Sequence, residues 1–404
     1  MIKNMKYLKI AAFLLSATVS VASFAQDKPA TATTEVKASV KAKEDRSYVE
    51  DYASKKANLV YLVEGKENQV TYKEISGKSV ILTDATGANL TIEHGSTTFK
   101  FILKAPAEWQ KARVAAQRGD VENAISAMRD VVYPLIPLTA LSEDAFDSTS
   151  YIEPFVSALL EAKLYKEAYA FAKALPVEMA GAGTIKSVME VAIALANNGE
   201  INKAMKLVEK VELRDATQYD ASDSVMKAMG LLRSKGKIKD MLPLYTKFGG
   251  TKNPQASEFK LWGIYCDVAL GNRMSAELYL NEIKVDKNSE AFSLYQLVKG
   301  DLRATDPKNP NLMGALDAYA EGIVFGKISS EWMPELLYKA GMTYKALKRF
   351  VASNEIFAQI SAMYPTDPFA AKGTKEIVKI EKKKVEKEVS HDDDDDDDDD
   401  EDDE

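Results

Sequence analysis

The chain has 404 residues, 46% hydrophobic and 28% charged, which supports a sizeable core and is too apolar for a globally disordered protein. One cysteine, Cys266, excludes an internal disulfide framework and a cysteine zinc cluster; two distant histidines, His94 and His391, exclude a histidine metal centre or a compact Ser-His-Asp site. The formal net charge of −8 is segregated, because the last thirteen residues are all Asp or Glu and the remainder is near neutral. Such a body with an acidic tail offers no positive field for nucleic acid.

Residues 1–25 have the build of a secretory signal peptide. Lys3, Lys6 and Lys9 precede an apolar run from Ile10 to Val21, and Ser23-Phe24-Ala25 follows as a small-x-Ala cleavage signal. The run is about a dozen residues where a membrane span needs roughly 20. Cleavage is expected before Gln26, leaving a periplasmic or extracellular protein that does not span the membrane. No cysteine follows the apolar run, so lipid attachment is unsupported. Residues 26–50, rich in Ala, Thr, Lys and Val, read as a flexible spacer.

Residues 51–104 change texture. Five β-type runs, at 59–63, 69–73, 80–82, 90–92 and 99–102, are separated by turns carrying Gly65, Gly77, Gly87 and Gly95. They predict a small antiparallel β barrel or rolled sheet. The order of strands and turns resembles an SH3-like or Sm-like barrel.

Residues 105–371 have a helical period and an internal repeat. A reference position in each expected inter-helix turn (Gly119, Lys163, Gly199, Gly236, Gly271, Pro310, Lys348) recurs at intervals of 44, 36, 37, 35, 39 and 38 residues. Five positions later stand Ala124, Ala168, Ala204, Met241, Ala276, Ala315 and Ser353. Nine positions later stand Met128, Ala172, Val208, Tyr245, Leu280, Tyr319 and Phe357. Offsets of 5, 9 and 12 share one helix face, and a small residue at the first lets the two helices cross closely. Seven such hairpins predict a mainly α fold, an α-solenoid behind the small β domain.

The pattern resembles degenerate tetratricopeptide repeats. Gly341, Tyr344, Ser353, Phe357 and Pro365 occupy the small, aromatic, small, aromatic and proline positions of that motif, and Asn198-Gly199-Glu200 with Ala192 and Ala204 matches next best. The chain departs from the family at offset 12, mostly bulky here instead of alanine, and in several intervals beyond 34 residues. The resemblance implies that the first helix of each hairpin lines a concave, peptide-binding groove. Groove positions fall on Glu153, Met189, Met226, Leu261 and Tyr338, and on Ser157, Ile193, Gly230, Tyr265 and Met342. Met189, Ile193, Met226, Tyr265, Tyr338 and Met342 are therefore expected to offer an adaptable apolar surface to a partner segment. The alternative is that irregular packing buries them in ordinary core.

Catalytic motifs are absent: there is no G-x-x-x-x-G-K-[ST], H-E-x-x-H, G-x-S-x-G or C-x-x-C. Acid pairs such as Glu143-Asp144 and Asp220-Asp223 carry no catalytic reading by themselves, and neither enzyme activity nor a cofactor is expected. Cys266 reads as a small core residue and His94 as a polar turn residue. Residues 372–391, with seven lysines from Lys372 to Lys387, are expected to stay extended, ahead of a disordered acidic tail at 392–404. Tail carboxylates such as Asp392, Asp394, Asp396, Asp398 and Asp400 suit weak Ca²⁺ binding or contact with a basic protein, without a specific metal site. Two functions follow: an exported scaffold that binds protein or peptide partners in the cell envelope, or a structural, cation-responsive envelope component acting through its tail.

Overall fold

In the computed structural model of the protein, residues 47–52, 55–57, 59–64, 66–104 and 107–379 are described. The expected signal segment, most of the expected spacer and the acidic tail lie outside these residues. The described chain is predominantly α-helical, with a single five-stranded sheet near its start.

A short helix α1 (Ser47–Glu50) precedes strands β1 (Leu59–Val63), β2 (Lys66–Ser76), β3 (Ser79–Asp84), β4 (Asn89–Glu93) and β5 (Phe101–Leu103). The order across the sheet is β4-β3-β2-β1-β5, antiparallel throughout, with a bulge in β2 between Tyr72 and Glu74. The expected barrel is corrected here: β4 and β5 form opposite edges and do not pair, so the sheet stays open. The physical reason lies on its apolar face. Leu59, Val70, Val80, Leu82 and Ile92 share one continuous core with the helices, so helices cover what a barrel would cover by curling on itself. The 3₁₀ segment Tyr133–Ala140, held in shape by Pro134 and Pro137, packs against β2, and Phe101 N–H donates to Ala145 O at 2.7 Å. This segment accounts for the longest repeat interval, between Gly119 and Lys163.

The helices form seven antiparallel pairs. They are α2 (Ala107–Gln117) with α3 (Val121–Val132); α4 (Thr149–Glu161) with α5 (Tyr165–Ala174); and α6 (Ala182–Asn197) with α7 (Ile201–Glu209). After a four-residue helix α8 (Ala216–Tyr219) come α9 (Ser222–Ser234) with α10 (Ile238–Gly249), and α11 (Ala256–Ala269) with α12 (Arg273–Glu282). The last two pairs are α13 (Ala291–Ala304) with α14 (Leu312–Phe325), and α15 (Met333–Ala346) with α16 (Phe350–Met363); α17 (Pro368–Glu376) packs on the final pair. The principal helix contacts of each pair are internal or with the next pair along the chain.

The repeat is visible in the turns. Gly119, Lys163, Gly199, Gly236, Gly271 and Lys348 all adopt positive φ, from 57° to 86°. In each case the following N–H bonds back to the carbonyl five residues earlier, as Glu200 N–H does to Leu195 O at 2.8 Å, which closes the helix end as a Schellman cap. The seventh reference is Pro310, whose ring forbids positive φ. There the turn is rebuilt by Arg303, whose carbonyl accepts from Asn311 N–H and whose guanidinium donates to Gly314 O.

The positions at offset 5, small except for Met241, are all fully buried, and their partners at offset 9 are buried. At the last crossing a Cβ on Gly341 would stand 2.6 Å from the Phe357 ring, and Ser353 Oγ donates to Gly341 O at 3.0 Å. Bonds between successive pairs recur at the repeat spacing. Lys210 Nζ donates to Lys173 O, Lys247 Nζ to Val211 O and Lys339 Nζ to Asp301 Oδ2, across 37, 36 and 38 residues.

Two boundaries differ from expectation. Tyr48 is buried and α1 packs on α5, so the spacer ends before it reaches residue 50. Helix α17 extends through Lys372 and Lys375 into the lysine-rich segment. It can do so because Ala370 and Gly373 face the core, Gly373 against Phe357, while the lysines point outward.

Candidate binding face

Carboxylates recur on the first helices of successive pairs. The loop before α4 places Glu143 against the start of α6. Helix α6 has Gly181 as its N-cap, with no side-chain acceptor of its own. Glu143 Oε1 supplies one, accepting from Gly183 N–H at 2.6 Å and from Thr149 Oγ1 at 3.1 Å. The approach is so close that a Cβ on Gly181 would stand 2.6 Å from Glu143 Cγ.

Beside this contact opens a cleft of about 520 Å³. Its walls carry Glu143, Asp147, Glu153, Glu190 and Asp220 against one basic residue, Lys186. The Glu190 carboxyl is pushed above its usual range by burial first and by the nearby Glu153 charge second.

The row continues on α9, α11 and α15. Asp223 lies in the first turn of α9, Glu258 in that of α11 and Glu335 in that of α15, while Glu290 is the N-cap of α13 and Glu331 directly precedes α15. A helix N-terminus favours a carboxylate by up to about 1 kcal/mol at an exposed site. At Glu258 the opposing effects win: burial, then Glu290, Asp223 and Glu331, raise its pKa to about 7. The Glu331 and Glu335 carboxyls are likewise raised, chiefly by burial.

Beneath this surface lies a buried polar network. Tyr265 Oη donates to Glu335 Oε1 at 2.6 Å, Tyr319 Oη donates to Asp301 Oδ1 at 2.6 Å, and Lys339 reaches the other Asp301 oxygen at 3.0 Å. The Arg233 guanidinium lies 3.2 Å from the Trp262 ring centroid and donates to Tyr245 Oη at 2.8 Å. Each buried charge is therefore paired, as burial demands.

The six residues expected to form an apolar groove occupy other surroundings. Met189 and Met226 are buried core residues. Ile193 and Met342 are half-buried against the same core, Tyr338 is packed between Phe357 and Phe369, and Tyr265 is engaged with Glu335. Two of the six are therefore buried in the core, and the other four are partly exposed at its margin. Asp392, Asp394, Asp396, Asp398 and Asp400 lie outside the described residues. Of the groove positions, Glu153 alone falls in the cleft. Glu143 and Asp220, set aside in sequence as members of isolated acid pairs, join it there. Asp220 lies two residues before α9, but Glu143 meets the start of α6 only through the stacking, 40 residues on.

A second concavity, about 530 Å³, lies between α10 and α12 on a floor of α11, where Gly249, Gly250 and Gly263 leave space beside Ile264, Tyr279 and Ile283. Met274 and Leu278 of α12 are exposed next to it. Cys266 is buried and its thiol is pushed up to about 12, chiefly by desolvation, which makes it inert as a nucleophile. His94 Nε2 lies 3.4 Å from Asp215 Oδ2, joining the turn after β4 to the N-cap of α8. Among the described residues no group of three or more His, Cys, Asp or Glu side chains could hold a metal ion, and no helix is long and apolar enough to cross a membrane. No protein-family profile matches the chain, and no curated protein matches it.

Proposed function

We propose that this protein is an exported, non-enzymatic scaffold of the cell envelope, a tetratricopeptide-like solenoid whose inner helices hold a partner. The observation that carries the reading is the cleft at Glu143, Glu153, Glu190 and Asp220, with five carboxylates to one ammonium. That excess of like charge in one concavity is matched by a basic, extended segment, rich in lysine or arginine, and not by the apolar segment suggested by composition alone. Stacked helix pairs suit this role because they present a long surface built from repeated positions.

The test uses the full chain and a fluorescent arginine decamer, read by anisotropy at low and moderate salt. Glu153→Gln, Glu190→Gln and Asp220→Asn combined are expected to weaken binding at least tenfold, with the tail unchanged as an internal background. Photo-crosslinks from the decamer should fall on α4 and α6. Undiminished affinity in the triple variant, or crosslinks confined to the tail, defeats the proposal, and the latter outcome favours the tail-based alternative.

One observation favours a second reading. The Glu190 carboxyl, raised above its usual range by burial and by Glu153, is shifted in the direction that a general acid requires in hydrolysis of an envelope polymer. Turnover of such a polymer that is lost in Glu190→Gln, with polymer binding retained, would establish it.

A further inference from the structure

The two edges of the sheet are unequally protected. Strand β5 is three residues long, and its Phe101 N–H is taken by Ala145 O. Strand β4 carries no proline, no lysine and no bulge, the usual devices that blunt an exposed edge. Two bonds fix which of its backbone groups point outward. Asp84 N–H donates to Ala88 O at 3.0 Å and His94 N–H to Lys78 O at 2.8 Å, so positions 88, 90, 92 and 94 face β3. Asn89, Thr91 and Glu93, all exposed, therefore turn their N–H and C=O groups away from the sheet. Among the described residues only Glu93 O finds another backbone partner, the Ser96 N–H at 3.0 Å.

We propose that β4 is the interface of a homodimer: the β4 strands of two copies pair antiparallel about a two-fold axis at Thr91 and join the two sheets into one. The register is self-complementary. Thr91 lies opposite Thr91 of the second copy, and Asn89 lies opposite Glu93. Each Thr91 N–H then donates to the other Thr91 C=O, and each Glu93 N–H to the other Asn89 C=O, which leaves the Ser96 bond undisturbed. On the face toward the core, the half-buried Leu90 gains Ile92 of the second copy as its cross-strand neighbour. Charge fits as well. Lys73 Nζ donates to Asn89 Oδ1 at 3.3 Å, so Glu93 of the second copy arrives beside an ammonium, twice by symmetry. Glu93 is the one charged residue of β4, and this register keeps the two copies of it apart. An unrelated strand would have to present a carboxylate at one end and a free carbonyl at the other, which β4 itself does. A two-fold contact of this kind closes on itself and stops at two copies.

Sedimentation of the full-length chain over a concentration series is expected to show a monomer–dimer equilibrium. Thr91→Pro deletes both N–H donors at the axis and leaves the bonds to β3 in place, so the dissociation constant should rise about tenfold or more. Lys73→Glu and Glu93→Lys should each weaken the dimer, and their combination in one chain should restore it by exchanging the charges. Oxidation reads the register. A hydrogen-bonded antiparallel pair holds its Cα atoms about 5.5 Å apart, within reach of a disulfide, so Thr91→Cys should crosslink and Glu93→Cys should not. The native Cys266 is buried and gives no background. Circular dichroism identifies any variant that fails to fold, and if Thr91→Pro does, the charge exchange carries the test. A monomer at every concentration up to about 100 µM overturns the proposal. So does a dimer indifferent to Thr91→Pro and to the charge changes, or equal crosslinking of Thr91→Cys and Glu93→Cys.

Discussion

Gly199 holds φ at 86°, and nothing lies within 4 Å of where its Cβ would stand. Substitution there isolates backbone strain from packing. Gly199→Ala is expected to cost about 1–2 kcal/mol, the penalty of the left-handed region for an L residue, read as a lower urea midpoint with unchanged slope. Lys163 holds the same conformation at φ 57° without glycine's freedom. Lys163→Gly should therefore change stability little or raise it, since relief of strain offsets the entropy that glycine adds to the unfolded chain. These turn positions were legible from residue type and spacing because a helix end closing in a Schellman cap depends only on neighbours in sequence. Pro310 shows the limit: it fell in register with the others, yet its turn closes through Arg303.

Between elements, the bond from α3 to α5 decides whether the first two pairs stay in register. Arg129 donates through Nε and Nη2 to both oxygens of Glu167, at 2.8 and 2.7 Å, and Tyr133 Oη donates to the same carboxylate. Glu167 is only 2% exposed, so it is an acid in the core. Removing one partner of such a pair costs about 3–5 kcal/mol, whereas replacing both by apolar residues of similar volume is near neutral. Glu167→Leu is accordingly expected to lower the thermal midpoint strongly, and Arg129→Met combined with Glu167→Leu to recover most of the loss. Similar losses in single and double variants would mean that the pair is not the fastening. Strand existence and order could be read from turn chemistry, but barrel closure could not. Closure depends on what covers the apolar face of the sheet, and that is set by helices far along the chain.

At the scale of the molecule, export and assembly make separate demands. If residues 1–25 direct secretion, protein recovered from its native envelope begins at Gln26, a mass that intact-protein spectrometry reads directly; a chain retaining Met1 through Ala25 ends the export reading. The sequence by itself determined the number of helix pairs, their turns, and which face of each second helix is buried. Those features follow from periodicity and from residues that close helices locally. The tertiary structure alone decided which side chains the first helices leave exposed. Met189 and Met226 have the right spacing for a groove, yet successive first helices close over them. The carboxylates that remain outside come from Glu143 to Glu331, too far apart in sequence for any window to bring together. Hydrophobic period reports that a side chain is buried, but not by which neighbour, and the neighbour is chosen only when the pairs stack.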